Sequence, residues 1–452
     1  MNVKLGVLLL IVVGWLGLGT VTATQPRPNV VMLISDDQTW TDFGFMGHPV
    51  VNTPHLDRLA SEGLLFPHGY VTMSLCRPSL ASMITGLYPH QSRIATAYPL
   101  GTPMLDHPPR LFARTGEYWR LHQRMIQFID FIPTLPSLLG EWGYKSLQTG
   151  KWWEGHFGRG GFTSGMTLGT PIKGDTKRVA WNWRGGDRGV AIAREVGLKP
   201  IYDFIEHVED RPFFIWYAPA IPHNPHNPPQ RLLEKYVDKT ESVHIARYWA
   251  MCEWFDETCG ELLDYLDRND LAENTLVVFV VDNGYIPRID APGADYARSK
   301  GSTYDGGIRT PIILRWPGRI EPRRDDGLVS IVDLAPTILT ACGLKPTEQM
   351  SGLDLLDPVA LAARKAIFGA VYTHSAADIN RPERSLKARW GIESNWKLIV
   401  PGIAYVEDPQ ISRRYELYNL EADPHEKNNL AAAHPDRVER LRLAINQWWP
   451  AQ

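Results

Sequence analysis

Short apolar runs that end in polar residues alternate with amphipathic segments along most of this chain. The first run, PNVVMLISDDQ, is rich in β-branched residues and ends in Asp36 and Asp37, which is typical of a buried parallel strand. PFFIWYAPAIPH and NTLVVFVVDNG repeat the pattern further along. Segments such as TPHLDRLASEGLLF and IVDLAPTILTACGL have helical spacing. This alternation predicts an α/β fold with a mostly parallel central sheet flanked by helices.

Beyond about residue 365 the segments become shorter. AIFGAVYTH, SLKARWGIESNWKLIV and RYELYNLEADPHEKNNLA predict a small antiparallel sheet, and a terminal helix is predicted from about Pro435. We therefore predict a main domain over residues 24–365 and a small C-terminal α+β subdomain over residues 366–452. Residues 101–128 do not follow the alternation of strands and helices. We predict that they form a loop and helix insertion near the functional edge of the sheet.

The N-terminus has the pattern of a secretory signal peptide. An almost uninterrupted apolar stretch runs from Leu5 to Leu18, and small residues follow it up to Ala23. We predict a signal peptide over residues 1–23, cleaved after Ala23. A membrane anchor is the alternative, although the apolar stretch is short for a span. The expected location is secreted or periplasmic, with no membrane association after cleavage.

Composition and charge narrow the function classes. A chain of 452 residues that is 44% hydrophobic can bury a large core. The formal net charge of −3 gives no basic surface for nucleic acid, so we expect no nucleic-acid partner. Four cysteines do not make a disulfide framework. Cys252 and Cys259 lie about 10 Å apart along one predicted helix, too far for a disulfide, and Cys76 remains free for chemistry.

Residues with catalytic or ligand chemistry recur in separated strings. In chain order the strings hold Asp36 and Asp37 in ISDDQ, Cys76 in SLCRPSLASMITGLYPH, Lys151 in TGKWWEG, His223 in APAIPHNPHNPP, Asp282 and Asn283 in VVFVVDNG, and Lys300 in RSKGSTYDGGIRTP. Three of the strings follow predicted strands whose carboxyl ends share one edge of the sheet, where α/β proteins place their functional residues.

Two of these patterns predict chemistry from residue type alone. Asp36, Asp37 and the Asp282-Asn283 pair offer hard oxygen ligands, which suit calcium rather than zinc. The alternative for Asp36 and Asp37 is a helix cap or a turn. A proline two residues after Cys76 suits the first turn of a helix, so Cys76 would lie at a helix N-terminus that favours an anion. The alternative is an ordinary buried cysteine.

Taken together, the strings resemble the active site of the sulfatase family, the formylglycine-dependent type I sulfatases of the alkaline phosphatase superfamily. The Cys76 string is similar to the signature in which the family oxidises a cysteine to formylglycine, and ELYNLEADPHEKNNLA resembles the family's ending. The resemblance implies an alkaline phosphatase or sulfatase-like fold with residues 24–365 as the catalytic domain. It implies an enzyme that hydrolyses a sulfate ester, with one calcium ion and a formylglycine-generating maturation enzyme as a partner.

The same resemblance assigns a role to each site residue. Cys76, as formylglycine, would be the nucleophile: one hydroxyl of the aldehyde hydrate, polarised by calcium, attacks sulfur and the other expels sulfate. Lys151 and Lys300 would hold the sulfate oxygens as charge develops. Lys300 or His223 would protonate the leaving oxygen. The implied metal ligands are Asp36, Asp37, Cys76, Asp282 and Asn283.

The chain departs from the family pattern at three positions. Leu80 and Leu87 stand where the signature has arginine, and Trp153 stands where a histidine usually follows the lysine by two residues. Arg77 lies about 100° round the helix from the nucleophile, so it is not an obvious substitute for the missing arginine. His156 is a candidate for the place of the missing histidine.

Two other functions fit the same residues. One is a non-catalytic pseudo-sulfatase that binds sulfated glycans and keeps the pocket without turnover. The other is a formylglycine-type phosphodiesterase or phosphonate hydrolase, since a site for a tetrahedral anion can accept either element.

A sulfated carbohydrate is the expected substrate class. The chain has 16 tryptophans, and indole rings form good walls for the apolar faces of sugars. Packing in the core is the alternative for each tryptophan. The candidate substrate contacts are Trp152, Trp153, Trp181, Trp183, Arg184, Arg188, His226 and Arg247.

Overall fold

The computed structural model describes residues 27–99, 116–169, 189–291, 293, 295–405 and 414–451. The predicted signal peptide and residues 101–115 of the predicted insertion lie outside these ranges. So do four of the candidate substrate contacts, Trp181, Trp183, Arg184 and Arg188. No helix among the described residues is long and apolar enough to cross a membrane.

Among the described residues, nine strands form the main sheet. They are β1 (Asn29–Ser35), β2 (Leu64–Tyr70), β3 (Lys145–Gly150), β4 (Ser164–Gly165), β5 (Phe213–Ala218), β6 (Thr275–Val281), β7 (Arg309–Arg315), β8 (Arg323–Arg324) and β9 (Val329–Ser330). Their order is β4-β3-β5-β1-β6-β7-β2-β8, with β9 also beside β2. Strand β7 is antiparallel to β6 and β2, and the other described pairings are parallel. The predicted, mostly parallel central sheet is confirmed.

Helices cover both faces of this sheet. The helices of the described chain as a whole are α1 (Pro54–Ser61), α2 (Cys76–Thr85), α3 (Pro89–Ser92), α4 (Gly116–Ile126), α5 (Leu135–Gly140), α6 (Lys199–His207), α7 (Gln230–Leu233), α8 (Val243–Arg268), α9 (Asp305–Ile308), α10 (Leu334–Ala341), α11 (Pro358–Ala363) and α12 (Pro435–Trp448). Cys252 and Cys259 lie buried and unpaired in α8, as the helical spacing predicts.

The central strand β1 shows why the apolar runs are uninterrupted. All of its residues are buried. Val30 and Met32 pack into the core on one face of the sheet, whereas Val31 and Leu33 pack into the core on the other. Successive side chains of a strand point to opposite faces, so a strand between two helical layers needs apolar residues at every position. The polar residues that follow β1 are therefore placed at the edge of the sheet.

One predicted helix is shorter than its pattern indicates. Helix α1 ends at Ser61, and the residues that follow Gly63 begin β2 at Leu64. A Cβ atom on Gly63 would lie 2.6 Å from the carbonyl oxygen of Leu314 on β7, so glycine allows the two backbones to approach closely. Tertiary pairing of β2 with β7 therefore overrides the helical spacing of these residues.

A second sheet follows in the C-terminal part of the described chain. Its four strands are antiparallel neighbours in the order β10 (Ala366–Tyr372), β11 (Leu386–Glu393), β12 (Trp396–Pro401) and β13 (Glu416–Asn419). Helix α12 packs its buried residues Val438, Leu441 and Ile445 against β12 and β13 side chains. The predicted small antiparallel sheet and terminal helix are confirmed.

Candidate active site

The turn after β1 presents two buried aspartates. The backbone N–H of Asp36 donates to the Ile221 carbonyl at 3.2 Å, which ties the strand end to the loop after β5. Asp37 has a φ of 63°, a left-handed conformation in which aspartate is enriched but which still carries strain. Its N–H donates to Asp282 Oδ1 at 3.0 Å. The turn therefore places both carboxylates just outside the sheet.

Asp282 and Asn283 reach the same edge from the neighbouring strand. Ser35 and Val281, the last residues of β1 and β6, are paired in register, so the polar residues after them are adjacent. Asn283 Nδ2 donates to Asp37 Oδ1 at 2.7 Å. Asp282 Oδ2 and Asn283 Oδ1 are buried and have no hydrogen-bond partner among the residues that the structure describes. Orphaned oxygens of this kind are rare in folded proteins and point to a missing ligand.

Cys76 is the first residue of α2 and faces the aspartates. Its Sγ lies 3.9 Å from Asp36 Oδ1 and 3.9 Å from Asp37 Oδ1. The start of a helix offers free N–H groups and the positive end of the helix dipole to an anion. Burial, and then the charge of Asp282, raise the pKa of Cys76 well above its usual value. The unmodified side chain is therefore a thiol and not a thiolate at neutral pH.

Lys151 enters the cluster from the end of β3. Gly150 precedes it with a φ of +75°, and a Cβ atom there would lie 1.9 Å from the Ala218 carbonyl oxygen. Only glycine fits this turn. Lys151 Nζ lies 2.7 Å from Asp36 Oδ1 and 3.2 Å from Cys76 Sγ. The ammonium group of Lys151 therefore bridges a carboxylate and the cysteine.

Lys300 and His223 approach the same carboxylate from two loops. Lys300 Nζ lies 2.6 Å from Asp37 Oδ1 and 3.3 Å from Cys76 Sγ. His223 Nε2 lies 3.3 Å from Asp37 Oδ2, and its Nδ1 lies 2.6 Å from the carbonyl oxygen of Asn224. Since a carbonyl only accepts, the Nδ1 atom carries the proton and the other ring nitrogen faces the carboxylate.

Burial and charge act against each other in this cluster. Burial alone would raise the pKa of Asp37, but Lys300 and then His223 hold it below its usual value. Burial alone would lower the pKa of Lys151 and Lys300, but neighbouring carboxylates raise both. Burial, and then Lys151, lower the pKa of His223 to about 4. Burial and a neighbouring aspartate raise the pKa of Asp282. At neutral pH the lysines are charged and the imidazole is neutral.

The donor set fits a hard divalent cation. Within the described part of the chain, three carboxyl groups of the cluster face only two lysines. Three oxygens of the cluster lack a hydrogen-bond partner there; Asp36 Oδ2 still lies 2.6 Å from Lys151 Nζ, whereas Asp282 Oδ2 and Asn283 Oδ1 are orphaned. Ligand atoms of Asp36, Asp37, Cys76 and His223 all lie within 4.8 Å of one another. Carboxylate and amide oxygens favour calcium over zinc. A bound cation would satisfy both the excess negative charge and the orphaned oxygens.

The structure thus brings together every site residue predicted from the sequence. No described residue at or near the positions that depart from the family pattern takes the place of the missing arginine or the missing histidine. Leu80 is buried in the main core beneath α2, and Trp153 packs partly buried against the core. His156 is exposed and accepts the N–H of Gly158 at 3.0 Å. It therefore does not take the place of the missing histidine.

Of the three described candidate carbohydrate contacts that remain, one packs in the core and two do not. Trp152 is buried against Phe162, which is the core-packing alternative. His226 is half-buried beside Tyr285, and Arg247 is exposed. These two remain candidate substrate contacts.

The sequence patterns gave no indication of two further residues, Tyr98 and Glu154. Burial, and then Tyr118 and Cys76, raise the pKa of Tyr98 above its usual value, and the Tyr98 ring meets the Trp153 ring at a centroid distance of 6.2 Å. Glu154 pairs with Arg77. Tyr98 lies in an irregular segment with no periodic pattern, and a glutamate gives no sign of its partner when the partner is distant in the chain.

Comparison with known proteins identifies relatives over most of the chain. Residues 28–344 match the family model described as Sulfatase, and residues 298–446 match the one described as N-sulphoglucosamine sulphohydrolase, C-terminal. The chain is 32% identical over 384 residues to N-acetylgalactosamine-6-sulfatase of Canis lupus familiaris, covering 77% of this chain and 69% of that protein. It is 25% identical over 489 residues to N-acetylgalactosamine-6-O-sulfatase of Bacteroides thetaiotaomicron, covering 92% of each.

A solved structure shares the fold. A protein in complex with its substrate D-glucosamine-2-N, 6-O-disulfate matches with a TM-score of 0.68 at 19% identity, covering 94% of this chain and 98% of the other. At this identity the match concerns the fold alone. The predicted fold class is confirmed.

Proposed function

The chain belongs to the sulfatase family of the alkaline phosphatase superfamily and is a sulfuric ester hydrolase, and from that premise we propose that it removes sulfate from a carbohydrate through a formylglycine made from Cys76. One observation carries the proposal. Cys76 begins a helix, and its Sγ lies 3.2 Å from Lys151 Nζ and 3.3 Å from Lys300 Nζ. A tetrahedral anion at residue 76 would meet two cations and free backbone N–H groups.

The carbohydrate part of the proposal is supported by the relatives. The two curated relatives are named for sulfated N-acetylgalactosamine, and the solved structure holds a disulfated glucosamine. We propose the same broad class for this chain, a sulfated saccharide.

One calcium ion is the proposed cofactor. Asp36, Asp37, Asp282 and Asn283 would hold it together with the oxidised residue 76. When bound, calcium polarises the nucleophilic hydroxyl and offsets the charge of the sulfate group. The two orphaned oxygens of the cluster support this assignment.

The chain's own residues divide the remaining work. Lys151 is almost fully buried, with 1% of its side chain exposed, and it would hold a sulfate oxygen on the closed side of the site. The Lys300 side chain is 19% exposed, so it lies on the side from which substrate enters. We propose that charged Lys300 donates the proton to the leaving oxygen, and that the unprotonated Nε2 of neutral His223 would accept a hydrogen bond from the hydroxyl group that forms.

The proposal also assigns roles to the parts of the chain outside the cluster. Residues 1–23 would direct export to the periplasm or the exterior, and a formylglycine-generating enzyme would be the partner that oxidises Cys76. Residues 24–365 would form the catalytic domain and residues 366–452 the C-terminal subdomain.

Sulfate release from a panel of defined sulfated saccharides tests the proposed activity. The panel should include N-acetylgalactosamine 6-sulfate, positional isomers of it and an aryl phosphonate, with Cys76→Ala as the matched control. We expect calcium-dependent release from at least one saccharide, none from the control, and slower turnover of the phosphonate. Phosphonate turnover without sulfate release would favour the phosphonate hydrolase alternative. A saccharide that binds without any release would favour the pseudo-sulfatase.

A further inference from the structure

Arg77 and Glu154 form a buried ion pair close in the chain to two residues of the cluster. Arg77 follows Cys76 in the first turn of α2, and Glu154 lies three residues after Lys151. The pair is bidentate: Arg77 Nε donates to Glu154 Oε1 at 2.8 Å and Nη2 donates to Oε2 at 2.7 Å. Only 2% of the arginine side chain and 3% of the glutamate side chain are exposed. Each partner is thus the near neighbour of a residue that carries the proposed chemistry.

The guanidinium also ties two further segments to this pair. Nη1 donates to the carbonyl oxygen of Thr96 at 2.9 Å, in the segment after α3. Nη2 donates to the carbonyl oxygen of Met125 at 3.0 Å, near the end of α4. A planar guanidinium with this many bonds has little freedom to rotate. The first turn of α2 is therefore held by hydrogen bonds to three other parts of the chain: the loop after β3, α4 and the segment after α3.

Stability alone does not explain the pair. Removing two charges from water costs about as much as their attraction returns, so a buried ion pair is often no better than two apolar side chains of the same size. The neighbouring core shows that apolar packing is available here, since Leu80 fills it one turn later in the same helix. Unlike apolar packing, the pair fixes the relative orientation of the two side chains, because its two hydrogen bonds constrain both distance and angle.

We propose that Arg77 and Glu154 are positioning residues that set the nucleophile at residue 76 against the Lys151 ammonium group. The helix start and the loop after β3 belong to different elements, and Cys76 Sγ and Lys151 Nζ lie 3.2 Å apart between them. The ion pair joins those two elements one and three residues away from the reacting groups. The proposal rests on the proposed sulfatase function, and it assigns the fixing of this helix turn to a side chain other than residue 80.

Replacing both partners separates positioning from stability. The double variant Arg77→Met/Glu154→Met should fold, because it leaves no unpaired buried charge. We expect its kcat for sulfate release to fall about 10- to 100-fold with KM unchanged, since displacement of a reacting group by about 1 Å has an effect of this size. Arg77→Lys, which keeps the charge but loses the fork, should give an intermediate kcat. A double variant that folds and keeps the wild-type kcat would overturn the proposal.

A matched pair elsewhere provides the control. Arg364 makes a similar bidentate bond to Asp333, at 2.6 Å on both arms, and its recorded hydrogen bonds among the described residues go to Asp333 and Leu328 and to no residue of the cluster. Arg77→Met and Arg364→Met should both lower stability, but only Arg77→Met should lower kcat per folded molecule. Equal kcat losses in the two variants would contradict a specific positioning role.

A second readout keeps the test independent of activity. Crystal structures of the wild type and the double Met variant should show the separation between Lys151 Nζ and the side chain of residue 76 increased in the variant. If the wild type releases no sulfate, the proposed function fails, yet this distance still decides the positioning role. An unchanged separation would refute it.

Discussion

Two buried ionic clusters lie in this molecule, and they differ in whether they are complete. The strand-end cluster consists of Asp36, Asp37, Asp282, Asn283, Lys151 and Lys300. The sheet-bridging cluster consists of Lys397 on β12, Asp305 at the start of α9, and Glu426. In the second cluster Lys397 Nζ lies 2.9 Å from Asp305 Oδ1 and 2.7 Å from Glu426 Oε1. All three of its side chains are at most 1% exposed.

Each carboxylate oxygen of the sheet-bridging cluster has a cationic or hydrogen-bonding neighbour, although the only one recorded for Glu426 Oε1 among the described residues is the Lys397 ammonium group at 2.7 Å. The other oxygen of Asp305 lies 3.3 Å from the Tyr70 hydroxyl and 3.8 Å from Arg309 Nη1. The other oxygen of Glu426 accepts the N–H of Asp305 at 2.6 Å. The strand-end cluster has excess carboxylate and orphaned oxygens. Burial of charge therefore does not mark a functional site by itself, whereas unsatisfied ligands within buried charge do.

The largest expected effect comes from breaking the complete cluster. Lys397→Met would leave two buried carboxylates without their cation, and we expect the free energy of unfolding to fall by about 3–5 kcal/mol. Urea denaturation measures it, with the exposed Lys239→Met as the control. The control should stay within about 0.5 kcal/mol of the wild type. A small loss in Lys397→Met would mean that the cluster is not structural.

Breaking the strand-end cluster should affect turnover instead. Lys300→Met removes a cation from the place where charge develops, so we expect kcat to fall by about 10²- to 10³-fold. With calcium present, its stability should fall less than that of Lys397→Met, because the metal still neutralises Asp37. Steady-state kinetics on the best saccharide gives kcat, and the folded fraction comes from circular dichroism. An unchanged kcat would remove Lys300 from the proposed mechanism.

Calcium should distinguish the two clusters directly. A ligand at 100 times its Kd stabilises a protein by about 2.7 kcal/mol, and we expect a gain of this size for the wild type. Asp282→Asn should lose the gain and, with the metal chelated, should be no less stable than the wild type. Asp305→Asn should be destabilised in both conditions and keep the gain. Identical behaviour of the two variants would contradict the contrast.

The smallest expected effect concerns pH. Burial lowers the pKa of His90 from 6.5 to about 4, and burial followed by Lys151 does the same for His223. Between these values the unfolded chain binds more protons than the folded chain, so stability falls as pH falls through this window. His90→Phe should remove on the order of 1 kcal/mol of this pH dependence without altering the pH profile of sulfate release. His223→Gln should alter both, and an unaltered activity profile would contradict its role.

Local patterns predicted most of the fold, because strand runs and the polar residues after them are adjacent in the chain. The direction of β7 had no such signal, since an apolar run does not show which way its strand points. The site residues could be named through their strings. The partners in the ion pairs could not be, because Arg77 and Glu154 are 77 residues apart and Lys397 and Asp305 are 92 apart.

The most direct measurement is the mass of the peptide that contains Cys76, in protein from a host that makes formylglycine. The account predicts the aldehyde at residue 76 despite Leu80, and sulfate release that rises in proportion to the aldehyde fraction across preparations. Full sulfate release from protein in which residue 76 is entirely an unmodified thiol would contradict it.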